Sequence, residues 1–317
     1  MIKILLIREN KPGGTNNYCK ALYALFQHDA ELEPIPVNDI PDIHSRLFHY
    51  FYRPNSLKQH IADADIVHIN GYTAMGTVQA FLVAKRLHKR IVYTAHWHPF
   101  ECLRHPFMGH CFFNLFLRPL IRKYADTVIT INNEDTAFFK GFHHNVIQIP
   151  HWYEPITIKK RPERKDNMIL FVGRADDPVK GLEHLYHIPK NKYEIHCVGK
   201  GDIKRKDFHQ HINVPNEELS RLYAEASVLV IPSKYEAFSY VALEALSFGT
   251  PVVMSERVRI ADYLNGVKGV SFFQYGNYQD FLEKIGAAIG STVDTQSISS
   301  LFHPDKIKQK YRELYLY

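Results

Sequence analysis

Met168-Ile169-Leu170-Phe171-Val172-Gly173-Arg174 runs five apolar residues without a polar break and then stops at a glycine and an arginine. A strand with apolar residues on both faces must be covered on both faces, as in a parallel sheet flanked by helices. Similar runs recur at Ile2–Ile7, Ile66–Ile69, Ile91–Thr94, Thr127–Ile131, Val146–Ile149, Tyr193–Val198, Ser227–Ile231 and Pro251–Met254. Longer amphipathic stretches separate them, among them Ala74–Leu87, Asn216–Ala226 and Tyr278–Ile289. This alternation predicts an α/β chain built on parallel sheets.

At 317 residues the chain is about twice the length of one domain. The apolar run pauses at Lys159-Lys160-Arg161-Pro162-Glu163-Arg164-Lys165-Asp166, read as a linker between Rossmann-like halves. With 45% apolar and 23% charged residues, the composition excludes disordered, collagen-like and fibrous chains. Four cysteines are too few for a disulfide scaffold. The net charge of +6 points to anionic partners: phosphates, nucleotides or a membrane surface. No basic stripe or binding motif accompanies it, so nucleic acid is not expected. No signal peptide or 18-residue apolar run is read, and the expected compartment is the cytoplasm with reduced thiols.

Open α/β sheets bind ligands beyond the carboxyl ends of their strands. Beyond the first strand lie Gly13 and Gly14, which either form a plain tight turn or let the backbone approach a phosphate at a helix start. A dinucleotide fingerprint is absent: Gly199-Lys200-Gly201 has Lys204 where the third glycine belongs, which argues against a nicotinamide enzyme. His96 follows the strand Ile91–Thr94 and is a candidate donor to a reacting sugar or phosphate. Arg174 and Lys180 can converge on one anionic group. In Pro232–Leu246, Ser239 reads as the N-cap of a helix, with Glu236 in the preceding loop and Glu244 in its early turns. The amides at 238–241 would meet an anion there. Glu244 sits among Val241, Ala242, Leu243 and Ala245; if not on a solvated face, it needs a partner, which ligand hydroxyls could supply.

No metal is expected. Asp63-Ala64-Asp65 precedes a strand, at the wrong end for a ligand site, and Asp176-Asp177 lacks further ligands. His98, Cys102, His105, His110 and Cys111 are irregularly spaced.

Gly173-Arg174 with Lys180-Gly181, then Glu236 and Glu244 with seven residues between them, then Phe248-Gly249-Thr250-Pro251-Val252-Val253 resemble the retaining GT-B glycosyltransferases of family 4. The order and spacing match over about residues 168–255, and Gly13-Gly14 and His96 fit the first half. The resemblance implies an EC 2.4 transferase with two facing Rossmann-like domains and a cleft between them. It implies an acceptor domain at 1–155, a donor domain at 156–302, and a helix at 303–317 returning to the first domain. It also implies a nucleotide-diphosphate sugar as donor, no cofactor, and a glycan or lipid-linked acceptor for surface polysaccharide or glycolipid synthesis. By the same resemblance Arg174 and Lys180 neutralise the leaving diphosphate, aided by the amides of Phe238, Ser239 and Tyr240. Glu244 takes the ribose hydroxyls, Glu236 the sugar hydroxyls, Asn213 and Val214 border the base, Gly14 lies against the diphosphate and His96 near the sugar. An epimerase or hydrolase on the same fold is the alternative.

The chain departs from the family at Ala237 and Ser239, where glycines are usual, and at Ser255-Glu256-Arg257-Val258-Arg259. The apolar run Phe107–Leu117, with Arg118, Arg122 and Lys123 following, reads as a buried helix or as a segment resting on a membrane. Arg46–Arg53, aromatic and basic, adds to the second reading.

Overall fold

The computed structural model describes residues 1–8, 14–35, 42–45, 49–71, 75–96, 105–154 and 162–317. Two compact units emerge: Met1–His151 with Pro304–Tyr317, and Trp152–His303. Residues 155–161, which hold the first part of the expected linker, lie outside the described residues.

The first unit is a six-stranded parallel sheet. Its strands are β1 (Ile2–Arg8), β2 (Leu32–Ile35), β5 (Ile66–Asn70), β6 (Arg90–Thr94), β7 (Thr127–Thr130) and β8 (Val146–Gln148), in the order β2-β1-β5-β6-β7-β8. A separate antiparallel hairpin pairs β3 (Asp42–Ser45) with β4 (His49–Tyr52). The last helix, Pro304–Leu316, buries Ile307, Tyr311, Leu314 and Tyr315 against this unit. Tyr311 and Tyr18 share a hydroxyl hydrogen bond of 2.6 Å, and the Tyr315 hydroxyl lies 2.6 Å from His68 Nδ1. Arg90 closes the helix by donating to the carbonyls of Leu314 (2.6 Å) and Tyr315 (3.1 Å), orphan acceptors at a helix C-terminus.

The second unit repeats the plan with β9 (Met168–Val172), β10 (Glu194–Val198), β11 (Phe208–His211), β12 (Val228–Ile231), β13 (Val252–Ser255) and β14 (Val270–Phe273), ordered β11-β10-β9-β12-β13-β14. All pairings are parallel. β9 shows why an unbroken apolar run belongs here. Met168 and Leu170 enter one core with Leu222, Leu243 and Leu246, while Ile169 and Phe171 enter the other with Leu185, Ile195 and Phe281. Each such side chain contributes about 1.5–3 kcal/mol on burial, so a polar residue at any of them would be costly.

Candidate active site

β9 and β12 are neighbours whose chains continue to opposite sides of the sheet, toward β10 and β13. At such a switch point the loops diverge and leave a crevice beyond the strand ends. Gly173-Arg174 leaves β9 there, and Pro232–Glu236 leaves β12.

Close backbone contacts tie these loops together. Gly181 has φ +70°, and a Cβ on it would lie 1.9 Å from the Pro232 carbonyl oxygen. The Lys234 amide donates to the Val179 carbonyl at 2.7 Å. A Cβ on Gly199 would lie 2.1 Å from the Gly173 oxygen, and one on Gly201 2.3 Å from the Asp176 nitrogen. Gly199 and Gly201 thus serve close loop packing, which accounts for the partial glycine motif.

The side chains follow from this stapling. Lys180 Nζ donates to Glu236 Oε1 at 2.8 Å, and Ser233 Oγ donates to the same oxygen at 2.7 Å. The Glu236 main chain bonds the segment after β13, accepting from the Arg259 amide at 2.8 Å. Arg174 points outward, 68% exposed, and pairs with Asp177 at 2.5 Å. Each cation therefore already faces a carboxylate, and the two do not share one anion in this arrangement.

Ser239 occupies the N-cap position of helix Tyr240–Ser247 but makes no side-chain capping bond. Its hydroxyl is buried, with the residue 1% exposed, and has no hydrogen-bond partner among the described residues. Glu244, in the second turn, finds its partner inside the protein: the Tyr223 hydroxyl donates to Oε2 at 2.6 Å. Burial raises the Glu244 pKa above the usual carboxylate value, and the Tyr223 bond offsets part of that. Gly173 packs against Phe171 and the Lys180 stem. Asn213 is exposed at φ +58° past β11, and Val214 packs at the edge of the core.

In the first unit, His96 lies beyond β6 at 3.0 Å from Asn70 Oδ1, through Nε2. The Asn70 amide nitrogen donates to the His68 carbonyl at 3.2 Å, which turns its oxygen toward His96. Nε2 thus carries the proton toward Asn70, and a contact to a ligand would fall to Nδ1 as an acceptor. The ring stacks with His151 at 5.8 Å and meets Tyr18 edge-on at 4.5 Å. Burial, with His151 and His68 nearby, holds its pKa well below the ordinary histidine value. Gly14 opens helix Gly14–Phe26, while Gly13 lies outside the described residues.

Tyr223, Ser233, Asp177 and Asn70 are the partners that residue type alone did not single out. Asp177, three positions from Arg174, and Ser233, three positions from Glu236, had a local signal; Tyr223 and Asn70 had none. Among the described residues no group of three or more His, Cys, Asp or Glu is arranged to hold a metal ion; His98 and Cys102 lie outside them.

Two such sheets with their helices form the GT-B fold, shared with sucrose-phosphate synthase from Thermosynechococcus elongatus (TM-score 0.72, 18% identity, 99% of this chain and 98% of that one). HepE from Anabaena, solved with UDP and glucose, matches at TM-score 0.69 and 16% identity over 99% of both chains. Residues 166–291, most of the second unit, match the family described as glycosyl transferases group 1. An uncharacterized 41.2 kDa protein in the cps region of Klebsiella pneumoniae is 24% identical over 233 residues, 65% of this chain and 64% of that protein. The match thus spans just under two thirds of that relative's length.

Proposed function

We propose that the chain is a retaining, metal-independent hexosyltransferase that moves a sugar from a nucleotide-diphosphate donor to a glycan or lipid-linked acceptor in surface polysaccharide or glycolipid synthesis. The observation that carries the reading is the Lys180–Glu236 pair beside the first turn of helix Tyr240–Ser247, within the segment matching group 1 glycosyl transferases. Glycosyl transfer has an oxocarbenium-like transition state, and negative charge grows on the departing phosphate. Fixed cations and a helix N-terminus stabilise that charge without reorganising. Lys180 meets the diphosphate, Arg174 swings from Asp177 to its outer oxygens, and the amides and hydroxyl around Ser239 complete the cradle. Glu236, held at Oε1 by two donors, positions sugar hydroxyls and is not a nucleophile; the leaving phosphate takes the acceptor's proton. Glu244 receives the ribose hydroxyls and Asn213 and Val214 border the base. In the first unit His96 accepts from the sugar through Nδ1.

A uridine diphosphate donor is the first to test, because the Anabaena neighbour was solved with UDP. We place the enzyme at the cytoplasmic side of a membrane, in peripheral contact with it. Among the described residues no helix is long and apolar enough to cross one. The test is product analysis with a panel of nucleotide sugars. A new glycoside that keeps the donor's anomeric configuration is expected only when acceptor is present. Equal donor consumption without acceptor would instead make this an epimerase or hydrolase.

A further inference from the structure

Residues 106–124 of the first unit form one helical run: an α-helix Pro106–Phe112, a π-helical turn Phe113–Leu117 and an α-helix Arg118–Tyr124. Its buried positions, Gly109, Phe113, Leu117 and Ile121, recur at every fourth residue. On a regular α-helix that spacing drifts about 40° per step. The wider π turn absorbs the drift, so one face stays on the core and the opposite face stays outward.

The outward face is apolar. Phe107 is 79% exposed, Met108 66%, Leu115 70% and Phe116 43%. Phe107 with Leu115, and Met108 with Phe116, are eight residues apart, two of the four-residue steps that the π turn keeps in line, and therefore lie along two adjacent rows. Scattered apolar residues on a surface are ordinary, but a contiguous set marks a contact surface.

The stripe runs into a cationic groove. Asn114, Arg118, Pro119, Arg122 and Lys123 line an open depression of about 580 Å³. No Asp or Glu occurs between His105 and Tyr124. Arg118 rests over the Phe142 ring at 4.9 Å and Lys123 is 5.5 Å from the Tyr124 ring. None of the three cations has a carboxylate partner among the described residues.

Aliphatic and phenyl side chains beside unneutralised cations match a bilayer interface, where chains enter the headgroup–acyl boundary and cations meet lipid phosphates. A free phosphate or glycan would engage only the cations, and nothing here complements an acidic protein beyond its charge. We infer that this face docks on an anionic phospholipid surface, with Phe107, Met108, Leu115 and Phe116 inserted and Arg118, Arg122 and Lys123 on the headgroup phosphates. The inference rests on the peripheral membrane contact proposed above and specifies its residues and lipid chemistry.

The test is flotation of the full chain with vesicles of phosphatidylcholine alone or mixed with phosphatidylglycerol. The wild type should float with the anionic vesicles and hardly at all with the neutral ones. Arg122→Gln with Lys123→Gln should weaken partitioning about 25-fold, about fivefold per cation. Phe107→Ser with Leu115→Ser should abolish it while the far-UV circular dichroism stays unchanged. Failure of the wild type to float, or equal flotation of wild type and both variants, overturns the docking face. So does self-association in solution that is lost in the Phe107/Leu115 variant, which would assign the stripe to a second copy. Turnover on a water-soluble acceptor separates the two readings. Intact turnover without flotation sinks the docking face alone, and flotation without turnover sinks the transferase reading alone.

Discussion

Lys180 Nζ and Glu236 Oε1 meet at 2.8 Å although 56 positions separate the two residues in sequence. Both are partly shielded, with side chains 29% and 12% exposed. Each charge holds the other in place at the switch point of the second sheet. In the proposed reaction a donor phosphate competes with Glu236 for the ammonium, which frees Glu236 for hydroxyl groups.

Lys180→Ala should lower turnover by about 100-fold or more, the usual loss when a charge-stabilising donor is removed. Glu236→Gln should chiefly raise the donor KM, because the amide still accepts from Lys180. Steady-state kinetics with the active nucleotide sugar decide this; near-normal turnover in Lys180→Ala would remove Lys180 from the machinery.

Glu244 gives a prediction with opposite signs for stability and binding. Its pKa is raised by burial, so its favourable contribution is complete below the ordinary glutamate range and lost as pH rises through the raised value. Glu244→Gln, neutral throughout, should melt above the wild type at pH 8 and no higher than it at pH 4. Donor affinity should fall at both. Calorimetry at the two pH values checks the sign, and a variant that melts below the wild type at pH 8 contradicts it.

The buried histidines of the first unit predict acid sensitivity. Burial pulls His68 and His151 down to about 3, and His96 is lowered as well. Lowered values mean that the stability is complete above about 6.5, the ordinary histidine pKa, and is lost as pH falls toward 3. The slope is about 1.4 kcal/mol per pH unit for each buried histidine. Urea melts at pH 7.5 and 5.5 should show this loss, reduced by about 1 kcal/mol in His68→Gln. Equal losses in the two proteins would mean that His68 is not kept neutral by folding.

Two glycines of similar conformation separate backbone strain from loop closure. Gly266, at φ +81°, has nothing within 4 Å of a built Cβ, whereas Gly181, at φ +70°, would drive it to 1.9 Å from the Pro232 oxygen. Gly266→Ala should cost about 1 kcal/mol. Gly181→Ala should cost well above that and also lower activity, since Lys180 is the preceding residue. Thermal melts of the two variants side by side give the comparison.

The central strands were legible because burial on both faces makes their runs mostly apolar, without a break in Met168–Val172. Of the edges only Val146–Gln148 was read: Leu32–Ile35 carries Pro34, Phe208–His211 exposes its middle residues, and Val270–Phe273 buries only Phe273. In those three the half-exposed edge loses the continuous apolar signal. Charge and strand-end position were enough to bring Lys180 and Glu236 into view. The partners distant in sequence were invisible, because Tyr223 reaches Glu244 from another helix and Asn70 reaches His96 from another strand. Nor did the sequence reveal that Ser239 would cap without a side-chain bond, since the hydroxyl's direction depends on how the loop before it is folded.

The helix that carries Tyr311 and Tyr315 sets the order in which the polypeptide can mature. The second unit is one continuous stretch, Trp152–His303, and has all its residues once that stretch has left the ribosome. The first unit begins to emerge earlier yet lacks the hydroxyls that meet Tyr18 and His68 until the helix Pro304–Leu316 is made. The half that is translated first is therefore the half completed last, and during synthesis its polar interior awaits a partner still being built.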